Sequence, residues 1–209
     1  MQIRGFEKDT IVDNAVNVST VQLHNPNFPQ LVHEILYQTG LSPGRLELEI
    51  TETALIRDLN RALATLRQLK ALGVRIAMDD FGTGYSSLSN LRSFPFDKIK
   101  IDRSFIKAVD VNSEAAAIVR AVLGLGRGLR LPILAEGVET TDELCFLNTE
   151  LCDEIQGWVI GRPADIECFR HLTHAPGVEP DNAQTISVGT QAFEKRRSEK
   201  GLPRSLARA

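Results

Sequence analysis

Residues 75–102 read RIAMDDFGTGYSSLSNLRSFPFDKIKID, and this stretch decides the fold. RIAMD (75–79) and KIKI (98–101) are β-type runs, and between them lie a glycine-bearing turn and a helical run over Ser86–Ser93. Strand, crossover helix and strand in so short a span predict two parallel neighbours in one sheet. Both strands end in polar groups: Asp79 and Asp80 on the first, Lys100 and Asp102 on the second.

The same unit repeats outward in both directions. Further β-type runs are AVNV (15–18), LELEI (46–50), PILAE (132–136) and EIQGWV (154–159). Helical stripes lie between them: Leu31, Val32, Ile35 and Leu36; Leu59, Leu63, Leu66 and Leu69; Ile118, Val119, Val122 and Leu123 within 114–127. Gly40 and Gly73 read as helix stops. A fourth helix over 141–147 opens with Asp142 and Glu143, which suit a helix N-terminus. Six β-α units in series imply an α/β protein with a parallel sheet, either doubly wound and open or a (β/α)8 barrel.

The 209 residues carry 24 Lys and Arg against 27 Asp and Glu, a net charge of −3, which argues against a nucleic acid polymer as partner. No apolar run approaches the roughly 20 residues of a bilayer-spanning helix. The N-terminal MQIRGFEKD has no apolar core of a signal peptide, so a soluble, cytoplasmic chain is expected. Cys145, Cys152 and Cys168 lack zinc-site spacing and read as free thiols. From residue 174 the periodicity ends; 1–173 are expected to form the domain and 174–209 a disordered, solvated tail.

Polar residues fall at the ends of nearly all the strands. Asn17, Glu49, Asp79, Asp80, Lys100, Asp102, Glu136, Glu139 and Gln156 follow this rule. In parallel α/β folds those ends converge on one face, where ligands bind. Carboxylates gathered there repel one another unless a cation neutralises them. An oxygen-only donor set suits Mg²⁺ or Mn²⁺ rather than zinc, and Asp79 beside Asp80 suits two metals acting on a phosphodiester. Lys100 would then stabilise phosphate charge or orient the nucleophile. Taken singly, each carboxylate is more simply a helix cap or a surface ion pair, and Lys100 a partner of Asp97 or Asp102. Their recurrence in six consecutive units favours a site. Gly82-Thr83-Gly84 offers an anion nest but no P-loop Lys-Ser/Thr follows, and Gly124, Gly126 and Gly128 read as marks of a helix end.

VNVS (16–19), LELEITET (46–53), DDFGTGYSSL (79–88), KIKIDRSF (98–105), AEGVET (135–140) and DEIQGWVIGRP (153–163) together resemble the EAL domain, a bacterial cyclic di-GMP phosphodiesterase family. The resemblance implies a modified TIM barrel that opens cyclic di-GMP to pGpG with Mg²⁺ or Mn²⁺. It implies Asn17, Glu49, Asp79 and Asp80 as metal ligands, Lys100 and Glu136 as catalytic groups, and Asp102 as their support on the same strand end. Asp80, Glu139 and Gln156 match positions at the substrate pocket. Glu52 matches a glutamate that anchors the DDFGTGYSS loop, a segment tied to metal binding and dimerisation, so a homodimer is among the expected partners.

The signature Glu-Ala-Leu is absent, and the first two β-α units, with a metal-binding Glu and a phosphate-binding Arg, have no counterpart. An incomplete barrel of about six units is expected, with unpaired edges, an apolar interior laid open, and little hydrolysis by this chain alone. The chain reads as the C-terminal part of an EAL phosphodiesterase, its parent fused to a sensory or GGDEF domain. The alternatives are a non-catalytic cyclic di-GMP-binding or protein-interaction module, and a barrel completed by another chain.

Overall fold

The computed structural model describes residues 14–82, 88–165 and 168. Its strands are β1 (Asn14–Asn17), β2 (Leu46–Thr51), β3 (Arg75–Phe81), β4 (Lys98–Ile101), β5 (Ile133–Ala135) and β6 (Glu154–Ile155). Helices α1 (Thr20–Leu23) and α2 (Phe28–Thr39) follow β1; α3 (Glu52–Ile56) and α4 (Leu59–Ala71) follow β2; α5 (Leu88–Ser93) follows β3. Helices α6 (Arg103–Ile106) and α7 (Ser113–Leu129) follow β4, and α8 (Thr141–Thr149) follows β5. The chain divides into units 1–164 and 165–209; the sheet lies in the first. The expected boundary at 173 and the tail lie outside the described residues.

Local chemistry sets the helix ends. Asp58 accepts the Arg61 N–H to open α4, Asn112 accepts from Glu114 and Ala115 to open α7, and Thr140 with Glu143 forms a capping box on α8. Caps of this kind are each worth about 1 kcal/mol. Gly40 ends α2 in the left-handed conformation at φ 66°. The glycines of 124–128 do not end a helix: α7 runs through them to Leu129. Gly126 is there because α7 presses on β5, and a Cβ would fall 2.4 Å from Ile133 Cγ1.

All five strand pairings are parallel, and the order is β1-β2-β3-β4-β5-β6. An order that never reverses is that of a barrel wound in one direction, and it excludes the doubly wound alternative. The sheet curls as a half-barrel whose outer strands, β1 and β6, do not pair with each other. The last expected strand, 154–159, is shorter than its sequence suggested. After Gln156 the chain turns, because Gly157 passes over Val138 so closely that a Cβ would lie 2.1 Å from its carbonyl oxygen.

Side chains alternate along each strand, and the two faces differ in kind. Leu48, Ile50, Ile76, Met78, Ile99, Ile101 and Ile133 face the helices and join Leu66, Leu69, Val119, Leu123 and Leu147 in one apolar core. The intervening positions, Glu47 and Glu49, Arg75 and Asp79, Lys98 and Lys100, lie on the opposite, inner face and carry charge. The expectation of an apolar interior is therefore met only in part: Ala77 and Leu134, both fully buried, share that face with the charged residues. In LELE and KIK every apolar residue is spent on the helix side, and on β2 and β4 the concave side is ionic.

Candidate metal centre

Ala15, Asn17, Glu49, Asp79, Lys100, Glu136 and Gln156 line one cavity of about 360 Å³ at the C-terminal ends of the strands. All six strands contribute, β1 to β4 from within and β5 and β6 through the residues that directly follow them, Glu136 and Gln156. Lys100 is at the centre. Its Nζ lies 2.6 Å from Glu136 Oε1, 2.7 Å from Glu49 Oε1 and 3.0 Å from Asp79 Oδ1. The pairings with Asp97 or Asp102 weighed from sequence are not those formed: Asp97 instead binds Lys70 Nζ at 2.7 Å and accepts the Ile76 N–H.

Three carboxylates around one ammonium leave this ring with a net charge of −2. Burial pulls the Lys100 pKa down, but Glu136 and then Glu49 outweigh it and hold the ammonium above its ordinary range. Glu136 moves up as well: burial raises it, Asp79 and Glu49 add to the rise, and Lys100 only partly offsets them. The two shifts are compatible because Lys100 gains from several anions, whereas each anion shares one cation and faces its like-charged neighbours. Asp80 is raised by burial, by Asp79 and by Asp102, against the pull of Lys100.

Backbone geometry delivers Asp80 to this group. The β3–β4 register shifts between Met78 and Phe81, and Asp80 takes the left-handed conformation at φ 53°. A bulge re-aims a side chain at a sheet end, and Asp tolerates positive φ better than most residues. One oxygen from each of Asp79, Asp80 and Glu136 lies within 4.8 Å of the others, close enough to share a cation. Asp79 Oδ1 is buried and makes no hydrogen bond among the described residues, its contact with Lys100 being one of charge rather than hydrogen-bond geometry. A buried oxygen without a hydrogen bond, a net −2 charge and an all-oxygen donor set fit a hard divalent cation.

Four of the expected site residues stand outside the cavity lining: Asp80, which instead joins Asp79 and Glu136 in the acidic cluster, and Asp102, Glu139 and Glu52. Asp102 caps α6, accepting from the Ser104 N–H at 3.0 Å and from the Ser104 hydroxyl, and acts on the site through its field at Asp80. Glu139 has an exposed side chain, and its N–H donates to Glu143 in the α8 capping box. Glu52 is 1% exposed on the helix side of the sheet, with no hydrogen-bond partner for its carboxylate among the described residues, in a separate small cavity with Leu55, Met78, Leu91 and Phe94. Residues 83–87 of the loop it is expected to anchor lie outside the described residues. Sequence reasoning missed a second set beneath the site, Glu47, Arg75, Lys98 and Glu154. The signal was the period-two repetition of charge in LELE and KIK.

A parallel β-α sheet wound in one direction, with an acidic cluster at its C-terminal rim that could hold a cation, defines a barrel-type α/β protein with a ligand site at the strand ends. The chain belongs to the EAL domain family, whose model matches residues 1–163. An uncharacterized signaling protein of Caulobacter vibrioides is 61% identical over 173 residues, 82% of this chain and 21% of that protein. MucR of Pseudomonas aeruginosa, a bifunctional diguanylate cyclase/cyclic di-GMP phosphodiesterase, is 45% identical over 153 residues, 73% of this chain and 22% of that protein. The structure of the PaMucR phosphodiesterase in complex with c-di-GMP is 44% identical with a TM-score of 0.72, covering 75% of this chain and 64% of that one. Klebsiella pneumoniae BlrP1, solved as a manganese/cy-diGMP complex, is 33% identical with a TM-score of 0.65, covering 70% of this chain and 37% of that one. The chain thus spans about a fifth of the length of the curated relatives named here.

Proposed function

We propose that this chain carries the metal- and substrate-holding strands of a phosphodiesterase site that hydrolyses cyclic di-GMP to pGpG. The observation that carries the reading is the ring of Glu49, Asp79 and Glu136 around Lys100, with Asp79 Oδ1 held there by charge and making no hydrogen bond among the described residues. Asn17, Glu49, Asp79 and Asp80 would hold Mg²⁺ or Mn²⁺, and related structures with c-di-GMP or with manganese support the assignment. A bound divalent ion would neutralise phosphate charge and make a water molecule more acidic.

The remaining work falls to side chains. Lys100 stays protonated, so its ammonium can hold Glu49 and Glu136 in place and donate to the attacking water. Glu136, whose burial makes its carboxylate more basic, receives the proton that the water loses. The water oxygen bonds to phosphorus, the P–O3′ bond breaks, and O3′ leaves as a hydroxyl after taking up a proton from solvent, with Glu136 later returning its own proton to solvent. Gln156 and Asn17, lining the same cavity, offer amide groups to the substrate's polar edge. Glu139, Asp102 and Glu52 act from outside the lining, on the loops and helix starts that frame it. In the parent protein this unit would work beside a sensory or GGDEF domain, in line with the two activities in the name of MucR. Among the described residues no helix is long and apolar enough to cross a membrane.

A second reading has its own support. The sheet is open between β1 and β6, and all four side chains of β1 are exposed, which favours binding of the nucleotide without turnover. The deciding experiment measures Mg²⁺- and Mn²⁺-dependent conversion of cyclic di-GMP to pGpG, with Glu136→Ala as control, beside calorimetric binding. Turnover abolished by the substitution supports hydrolysis. Metal-dependent binding without turnover supports the second reading, and absence of both defeats the assignment of this site.

A further inference from the structure

Beneath the metal centre the inner face carries a second ionic layer. Lys98 on β4, 1% exposed, lies 2.7 Å from Glu154 Oε2 on β6 and 3.2 Å from both carboxylate oxygens of Glu47 on β2. Arg75 Nε on β3 approaches Glu47 Oε2 at 3.8 Å. Two cations and two anions balance, so the layer adds no net charge to the field above it.

A (β/α)8 barrel normally fills such a layer with branched apolar side chains. Buried ion pairs rarely stabilise a fold more than apolar residues of equal size would, so stability alone does not account for these four. Their placement does. Glu47 is two residues before Glu49, Lys98 two before Lys100, and Glu154 two before Gln156. Two residues along a strand are about 6.6 Å, so each lower member sits directly under a member of the site. Strands β2 and β6 each lie two places from β4, about 10 Å away on a flat sheet, and one ammonium reaches carboxylates of both only because the sheet curls.

We propose that Lys98 is a positioning residue for the metal centre: by tying Glu47 and Glu154 across the concave face it fixes the curl that brings Glu49, Lys100 and Gln156 to one cavity. The inference rests on the reading of that cavity as a metal site. Removing Lys98 unties buried Glu47 from half-buried Glu154, the strands they ride on spread, and the ligands above them separate.

The test is Mn²⁺ affinity of the full 209-residue chain, followed by electron paramagnetic resonance of the free ion, well below the melting temperature of each variant. Lys98→Met keeps length and loses charge; its Mn²⁺ affinity is expected to fall about 10–100-fold, the range seen when groups that orient metal ligands are removed. Lys98→Arg, which keeps the charge and the donors, restores most of the loss, whereas a role in bulk packing alone would not distinguish Met from Arg in this direction. Should Lys98→Met not fold, the triple variant Glu47→Gln, Lys98→Met, Glu154→Gln, which removes the tie together with its two carboxylates, is read in its place. A folded Lys98→Met or triple variant with wild-type affinity overturns the positioning role while leaving the metal site standing. A folded wild-type chain that binds no Mn²⁺ overturns both.

Discussion

Lys100→Met is the most informative single change to the fold itself. The side chain keeps its length and loses the charge, leaving Glu49, Asp79 and Glu136 facing one another across the space the ammonium bridged at 2.6–3.0 Å. Breaking a buried pair by removing one partner costs about 3–5 kcal/mol, because the remaining charges stay desolvated. A domain of this kind has only about 5–15 kcal/mol in hand. With a urea m-value near 2 kcal/mol/M, the midpoint at pH 7 is expected to fall by about 2 M. Mn²⁺ supplies the missing positive charge, and at a concentration one hundred times its Kd it returns about 2.7 kcal/mol to the folded state. The assay is urea unfolding followed by far-ultraviolet circular dichroism, with chelator and with Mn²⁺, for wild type and variant. A variant midpoint equal to that of the wild type in chelator would refute the reasoning, since it would mean that the three carboxylates do not share the ammonium.

Divalent-ion binding should weaken on acidification sooner than free carboxylates would suggest. Folded Asp80 and Glu136 titrate above their ordinary 3.8 and 4.5, so the ligand charge is lost as pH falls through those raised values; calorimetric Mn²⁺ titrations at stepped pH should place the acid limb above 4.5. The same two groups hold protons more tightly folded than unfolded, so their own contribution to stability declines as pH rises through that window. Cys152, whose thiol burial pushes up to about 11 from 9.0, should resist iodoacetamide at pH 8 while exposed Cys168 reacts; mass-spectrometric mapping that finds both modified in the native chain would count against this burial. Raising pH from 9 toward 11 should cost stability at Cys152, because the unfolded thiol ionises first. Gly126→Ala should destabilise by about 1–3 kcal/mol, read as a lower Tm, as the new methyl overlaps Ile133.

Strand and helix order were legible because each β-α unit is locally consistent: β-type runs such as KIKI, stripes such as Leu66 and Leu69, caps such as Asp58 and Thr140. The convergence of Asn17, Glu49, Asp79, Lys100, Glu136 and Gln156 followed from parallel strands alone. Winding direction was not legible, because a β-α repeat leaves strand order open until the pairings are known. Nor was the partner of Lys100: sequence proximity pointed to Asp97 and Asp102, while the ring is assembled from β2, β3 and the end of β5. Asp102 and Glu139 could not be told from cap residues by type, since a carboxylate at a strand end is also one or two residues from the next helix.

The ionic interior gives the curved sheet a division of labour between its two charged layers. Were the lower layer also net negative, the repulsion already present among Glu49, Asp79 and Glu136 would extend down the concave face, and Lys100 would be divided among still more anions. Because Lys98 and Arg75 balance Glu47 and Glu154, the excess of −2 carried by Glu49, Asp79 and Glu136 over Lys100 is confined to the rim, where the cavity lies. An attraction for divalent cations therefore arises at one height of the barrel only. The period-two charge in LELE and KIK thus serves two ends with one repeat: its first members set strand spacing, and its second members set the chemistry.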